Sequence, residues 1–87
     1  MPEISRFLGI VIYMYFKDHN PPHLHVVYEK YEASIEIKDL KIIKGSLPPR
    51  ILGFVVEWAM IHQDELLENW EAVKYLKTPK KIEPLIS

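Results

Sequence analysis

The sequence predicts an α+β domain, in which an antiparallel sheet of four or five strands is followed by one bent helix or two helices packed on one face. Apolar and polar residues alternate with period two through the first half of the chain. From residue 51 onward the apolar residues instead recur every three or four positions. The 87 residues suffice for one domain, which we divide into a β half (1–46), a helical half (47–78) and a C-terminal tail (79–87).

The first two predicted strands cover residues 4–8 and 10–16, with Gly9 between them as a turn, bulge or kink. Alternation in the second strand separates two faces. One face carries only apolar side chains and is expected to lie against the core: Ile10, Ile12, Met14 and Phe16. The other face, with Val11, Tyr13 and Tyr15, is expected to be the wetter one.

Residues 23–29 and 32–37 read as a β-hairpin whose apolar side chains point into the core. A loop at Lys30-Tyr31 then places His25 opposite Glu36 on the outer face. The same alternation directs His23 and His25 toward solvent. Residues 41–44, bounded by lysines, suit a strand at the border of the sheet.

Ser46 is expected to mark the helix start just before the helical half, because the prolines that follow are tolerated only in a first helical turn. One stripe should cover the sheet: Ile51, Val55, Trp58, His62, Leu66, Trp70 and Val73. The acidic residues from Asp64 onward resemble a fresh helix start, so a kink or break is expected near residues 62–64. The first helical segment is apolar nearly all round, which predicts a cover from the second helix, the tail at residues 82–86 or a partner chain.

Composition excludes several classes of protein. The absence of cysteine rules out disulfides and zinc–thiolate sites. A formal charge of −1 gives no overall electrostatic reason to expect a nucleic-acid binder. No apolar run approaches the roughly 20 residues of a membrane-spanning helix, and the N-terminus lacks the features of a secretory signal, so we expect a cytoplasmic protein without a membrane partner.

Chemistry should concentrate in residues 18–25, where three of the four histidines accompany Asp18 and two prolines. His23 and His25 are two apart on a strand and therefore share a face, so they could chelate one divalent metal ion. His19, Asp18 or Glu36 would supply the third ligand. The metal ion is the one cofactor that this pattern suggests.

Two other interpretations of the same residues remain open. In a metal-free site, His19, His23 and His25 would relay protons with Asp18, while Tyr13, Tyr15 and Lys17 steady a bound phosphate. In a purely structural role, the histidines would hydrogen-bond to Glu36 and to loop carbonyls, and the prolines would only fix a bend. His62, on the helical stripe, is interpreted as a packed histidine satisfied by a neighbour.

The chain resembles a bacterial domain-of-unknown-function family, number 4160, through segments spread over nearly its whole length. These are residues 2–7, 18–25, 47–48, 57–59, 66–70 and 81–85, among which the Asp-His-x-Pro-Pro-His-x-His pattern of residues 18–25 is the most specific. The resemblance implies a small cytoplasmic protein encoded beside another short protein, as in a toxin–antitoxin pair. It implies no established reaction.

Two functions from different classes follow. In the first, the protein is a small enzyme that acts on RNA or a nucleotide, with Asp18, His19, His23 and His25 as catalytic residues or ligands. In the second, it is a non-catalytic antitoxin or accessory module. Its apolar helical face and its tail would then bind a small partner encoded nearby or a second copy of the chain.

Overall fold

The computed structural model describes residues 2–85 and confirms the α+β class, with a five-strand antiparallel sheet followed by two helices. The strands are β1 (Glu3–Phe7), β2 (Ile10–Tyr13), β3 (His23–Tyr28), β4 (Tyr31–Glu36) and β5 (Ile42–Gly45). The helices are α1 (Pro49–Ile61) and α2 (Gln63–Lys74). The strands lie side by side in the order of the chain, so each pairs with its sequence neighbours.

Short turns close two hairpins of this meander, β1–β2 and β3–β4. Leu8 and Gly9 join β1 to β2, and both have a positive φ, as a two-residue turn of the mirror-image type requires. Glu29 and Lys30 join β3 to β4, with Glu29 at φ 51°. The predicted loop at Lys30-Tyr31 is therefore wrong by one residue, because Tyr31 already pairs with Tyr28 inside the ladder.

The predicted hairpin register is also wrong. Glu36 lies opposite His23, and His25 lies opposite Ser34. The shift amounts to two residues, which is one full period of a strand, so every side chain keeps its predicted face. Alternation was therefore sufficient to predict the face on which each side chain lies. The register depends on the position of the turn, which alternation does not predict.

The core lies between the helices and one face of the sheet. Ile12, Leu24 and Ile35 are fully buried on the sheet side, and Val55 and Trp58 are fully buried on the helical side. The predicted helical stripe is buried except at His62, which is half-buried at the junction of the two helices. There His62 Nδ1 lies 2.6 Å from Glu65 Oε1, so it is the packed, satisfied histidine that was predicted.

The largest differences from the predicted boundaries are at the start of α1 and at the end of β2. Helix α1 begins at Pro49 and not at Ser46, with Pro48 before it and no side-chain cap. Strand β2 ends at Tyr13, so Phe16 lies outside the sheet and is exposed. The proline signal was correctly placed in the first turn, but the serine does not cap it.

The tail packs on its own chain. The Ile82 N–H donates to the Ile4 carbonyl at 2.8 Å, and the Trp58 indole N–H donates to the Glu83 carbonyl at 2.8 Å. Asn69 exchanges two hydrogen bonds of 2.9 Å with the backbone of Lys80. The tail and α2 thus cover part of α1, as two of the three predicted covers would. Ile86 and Ser87 lie outside the described residues. Between residues 2 and 85, no helix is both long and apolar enough to cross a membrane.

Candidate functional site

The loop between β2 and β3 brings Asp18 over the outer face of the sheet, opposite the helices. Backbone hydrogen bonds hold this loop at several points: the Lys17 N–H donates to the Val73 carbonyl at 3.1 Å, and the Ile37 N–H donates to the Pro22 carbonyl at 3.0 Å. The Asn20–Pro21 peptide bond is cis. Asp18 is therefore held against β3 by contacts with both α2 and the end of β4.

Asp18 meets two histidines through one oxygen atom. Its Oδ2 lies 2.9 Å from His23 Nε2 and 2.9 Å from His25 Nε2. Its Oδ1 accepts a hydrogen bond of 3.0 Å from the backbone N–H of His19. Asp18, His23 and His25 thus place one ligand atom each within 4.8 Å of one another. We call these three residues the Asp–His–His cluster.

The remaining ring nitrogens restrict where protons can lie. His23 Nδ1 is 2.7 Å from the Pro21 carbonyl oxygen, which can only accept, so this nitrogen carries the proton. Neutral His23 then presents a lone pair at Nε2 to the Asp18 carboxylate. Two lone pairs at 2.9 Å repel unless a cation lies between them, either a proton or a metal ion. His25 Nδ1 lies 3.3 Å from Ser34 Oγ, a hydroxyl that can donate or accept.

Aromatic side chains bury both imidazoles. The Tyr13 ring stacks on His25 with a centroid separation of 5.4 Å and an interplanar angle of 16°, and Tyr15 meets His25 edge-on at 4.3 Å. Trp70 of α2 lies 5.2 Å from His23. His23 and His25 are therefore only 5% and 8% exposed. They lie on the outer face, as predicted, but the prediction that they face solvent is wrong.

The surroundings change the acidity of two neighbouring groups. Burial raises the pKa of the Asp18 carboxyl. The hydrogen bonds from His25 and from the His19 N–H, with the charges of the two imidazoles, outweigh burial, so the net pKa is lowered. Burial, with a hydrogen bond involving Tyr15, raises the pKa of the Tyr13 phenol. Asp18 is thus an anion at neutral pH, and Tyr13 is a neutral phenol.

The cluster fits a divalent metal ion in ligand type. Two neutral imidazoles and one carboxylate are the donors of three-ligand zinc centres and of the two-histidine, one-carboxylate iron centres, both of which keep open positions. Bonds of about 2.0–2.2 Å to a tetrahedral ion separate neighbouring ligand atoms by roughly 3.3–3.6 Å. The 2.9 Å contacts between Asp18 and the two histidines would therefore have to open by about 0.4–0.7 Å to hold such an ion.

A cleft of about 580 Å³ adjoins the cluster on the outer face. The loop forms one wall with Asp18 and His19, and β5 forms the opposite wall with Ile43 and Lys44. Tyr15 and Glu32 border both this cleft and a second depression of about 500 Å³ further along the sheet. The open positions of an ion in the cluster would therefore adjoin a space large enough for a small ligand.

The other predicted site residues lie outside the cluster. His19 is at the rim, with its side chain 93% exposed and its Nδ1 3.4 Å from Asp18 Oδ1. Lys17 is exposed, and it does not line the cleft. Glu36 pairs with His23 in the ladder, and its Oε1 is buried without a hydrogen-bond partner among the described residues. Of the candidates for a third ligand, the structure brings Asp18 to the two histidines, and neither His19 nor Glu36.

Sequence reasoning missed three residues of the site, Ser34, Lys44 and Trp70. The corrected register would have revealed the first two, because Ser34 lies opposite His25 in one ladder and opposite Lys44 in the next. Trp70 was expected in the core, and it is buried there. Its contact with His23 depends on the path of α2 past the loop, for which the sequence carried no signal.

The fold and site define a small α+β protein with a buried Asp–His–His cluster on the face of its sheet opposite the helices. The chain belongs to the domain of unknown function family DUF4160, whose sequence model matches residues 9–71. The matched region contains the whole Asp–His–His cluster. Comparisons with curated proteins and with solved structures found no match.

Proposed function

We propose that Asp18, His23 and His25 bind one divalent metal ion, and that the protein acts there on a phosphate ester of RNA or of a nucleotide. The observation that carries the proposal is the shared carboxylate oxygen, 2.9 Å from two imidazole nitrogens. In neutral His23 the Pro21 carbonyl holds the proton at Nδ1, so Nε2 carries the lone pair that a metal ligand needs. Ser34 does the same for His25 when its hydroxyl accepts from Nδ1.

The reaction class is hydrolysis, in which water adds to phosphorus and the bond from phosphorus to the leaving oxygen breaks. When bound, a zinc-like ion would lower the pKa of its bound water and stabilise negative charge on the phosphate. The residues of the chain limit access to this site: the tyrosines exclude water from one side of His25, and the cleft admits the ester from the other. Histidine is the commonest proton donor to a leaving group, and His19 at the rim is the candidate for this role.

The cellular setting is proposed from the family resemblance. The protein would be cytoplasmic and would form a toxin–antitoxin-like pair with a small protein encoded beside it. If it is the toxin, its expression slows growth and the double replacement His23→Ala/His25→Ala relieves the inhibition while the chain still folds. Unchanged inhibition by a folded double variant would remove the catalytic role.

Metal binding can be measured directly on protein without a histidine tag. Equilibrium dialysis against zinc should give one ion per chain for the wild type. The double variant His23→Ala/His25→Ala should lose more than the roughly 10- to 100-fold in affinity that removing a supporting hydrogen bond costs. His62→Ala is the matched control, because this histidine bonds to Glu65 and should leave zinc binding unchanged. If the wild type binds no zinc, iron or manganese, the metal centre is refuted and the metal-free proton relay takes its place.

A protein-binding module is the second candidate, favoured by two consecutive apolar side chains at the end of α1. Met60 and Ile61 are 63% and 66% exposed, and contiguous exposed apolar surface is a feature of interaction sites. The tail, in contrast, is bound to its own chain through Ile82 and Glu83. The proposed contact surface is therefore the end of α1, for the small protein encoded nearby or for a second copy.

The introduction of negative charge at this surface tests the module. Met60→Glu/Ile61→Glu should abolish co-purification with the neighbouring gene product, or convert a dimer to a monomer, as followed by light scattering after gel filtration. Leu8→Glu is the matched control, since Leu8 is an exposed apolar residue in the first hairpin turn. Complexes that survive the double change while folding is intact would exclude this surface.

A further inference from the structure

We infer that the ligand of the cleft is a single mononucleotide-sized phosphate ester and not a nucleic-acid strand, with its phosphate held between the Asp–His–His cluster and Lys44. The inference rests on the proposed function, because the ion in the cluster supplies the second contact to the phosphate. Of the two substrates proposed above, RNA and a nucleotide, the inference selects the nucleotide.

Lys44 is placed to contact a phosphate at the cluster. It pairs with Ser34, and Ser34 Oγ lies 3.3 Å from His25 Nδ1, so Lys44 shares the outer face with the cluster. Two strand spacings of about 4.8 Å separate β5 from β3, and the flexible stem of lysine can extend across part of that gap. Lys44 is exposed and forms no ion pair with any residue that the structure describes, so its charge is free for a ligand.

The charges on the outer face favour the binding of one phosphate group and disfavour the binding of several. A strand requires a basic groove that follows successive phosphates. In the described part of the chain, Lys44 is the one lysine or arginine that lines the cleft. The second depression offers Arg6, but its guanidinium already bonds to Glu3 at 2.8 Å. Glu32 lies on the border between the two depressions, where it would repel a passing backbone.

The walls of the cleft also offer surface for a nucleoside. Tyr15 is half-buried at the border, and its ring can stack on a base of any identity. Ile43 on β5 is 42% exposed and contributes apolar area on the other side. The volume of about 580 Å³ lies within the range of small-molecule sites. The charges that line the cleft and its volume therefore both fit one nucleotide.

Calorimetric titration of the zinc-loaded protein tests the inference with three probes: adenosine monophosphate, adenosine and a single-stranded RNA of six adenosines. The monophosphate should bind at least about tenfold more tightly than adenosine. The RNA should bind no more tightly than the monophosphate, and its affinity should fall with salt with a logarithmic slope near −0.7, as for one neutralised phosphate. Lys44→Gln should weaken the monophosphate about tenfold and leave adenosine unchanged, whereas Lys77→Gln, at an exposed lysine that does not line the cleft, should change neither.

The outcomes separate this inference from the proposed function. RNA binding that is more than tenfold tighter than the monophosphate, with a slope of −2 or steeper for several phosphates, overturns the inference in favour of a strand. Zinc binding without any affinity for the monophosphate also overturns it, while the metal centre stands. Failure to bind zinc, iron and manganese overturns the metal centre of the proposed function, and the inference with it.

Discussion

The replacement Asp18→Asn is expected to abolish metal binding and to remove all stabilisation of the protein by zinc. At 100 times its dissociation constant, zinc should stabilise the wild-type protein by about 2.7 kcal/mol, which raises the melting temperature by roughly 10–20 °C for a domain of this size. Asparagine keeps the shape of aspartate but carries no negative charge. Its amide nitrogen cannot act as a ligand, and its neutral amide oxygen is a much weaker zinc ligand than a carboxylate. The variant should therefore melt at the same temperature with and without zinc at the concentration that stabilises the wild type.

The same replacement should also weaken the metal-free protein. His23 and His25 are buried. His25 loses its hydrogen bond to the carboxylate, and His23 loses its close contact with the same oxygen, so the expected cost is about 1–3 kcal/mol in the free energy of unfolding. Asp39→Asn is the matched control, because Asp39 is exposed in the turn after β4 and its loss should change neither property. A zinc-dependent rise in melting temperature that survives in Asp18→Asn would exclude Asp18 as a ligand.

The pH dependence of the metal-free proteins gives an independent check on Asp18. Its pKa is lowered in the folded state, so the unfolded chain binds more protons in acid, and stability decreases there as the pH is lowered. The contribution is complete above the ordinary aspartate pKa of about 3.9 and is lost as the pH falls through the lowered value. Asp18→Asn should therefore differ most from the wild type near neutral pH and approach it in strong acid, as measured by urea unfolding.

The sequence was sufficient to predict which face of each strand and helix enters the core, but not that the site is buried. Period-two alternation placed His23 and His25 on the outer face, because an apolar neighbour on each strand had to enter the core. Burial on that outer face comes instead from Tyr13, Tyr15 and Trp70. Alternation had placed Tyr13 and Tyr15 on the same outer face as the histidines, but it does not set the β2–β3 register that pairs Tyr13 with His25. Trp70 belongs to a helix, and strand periodicity carries no information on its contact with His23.

The third member of the cluster could be named only as one of several candidates for the same reason. Asp18, His19 and Glu36 were equivalent in sequence, since each lies near His23 or His25 in the chain or in the expected pairing. The loop path decides among them, and it is fixed by distant contacts such as that of Lys17 with Val73. The hairpin register failed because residues 29–30 form a two-residue turn without the glycine or asparagine that usually marks one.

Gly45→Ala is expected to be the most damaging small change outside the cluster. Gly45 ends β5 at φ +79°, a left-handed conformation that costs an ordinary residue about 1–2 kcal/mol. A Cβ at this position would also overlap the carbonyl oxygen of Glu32, which is backbone of the neighbouring strand and accepts from the Ser46 N–H. The strands must separate there, so we expect a loss of about 2–3 kcal/mol and a melting temperature lower by roughly 10–20 °C.

Gly53→Ala provides the matched control in α1. A Cβ at Gly53 meets no atom within 4 Å, and alanine is the better helix former, so this variant should gain about 0.5–1 kcal/mol. Stability changes of opposite sign in the two variants, measured by thermal and urea unfolding, would show that the stability of β5 depends on the conformation of one glycine.

Because β5 carries Lys44, the Gly45→Ala protein should also bind adenosine monophosphate less tightly than the Gly53→Ala protein at equal zinc occupancy. Equal stability of the two variants would contradict the close approach of β5 to Glu32, and with it the position of Lys44 at the cleft.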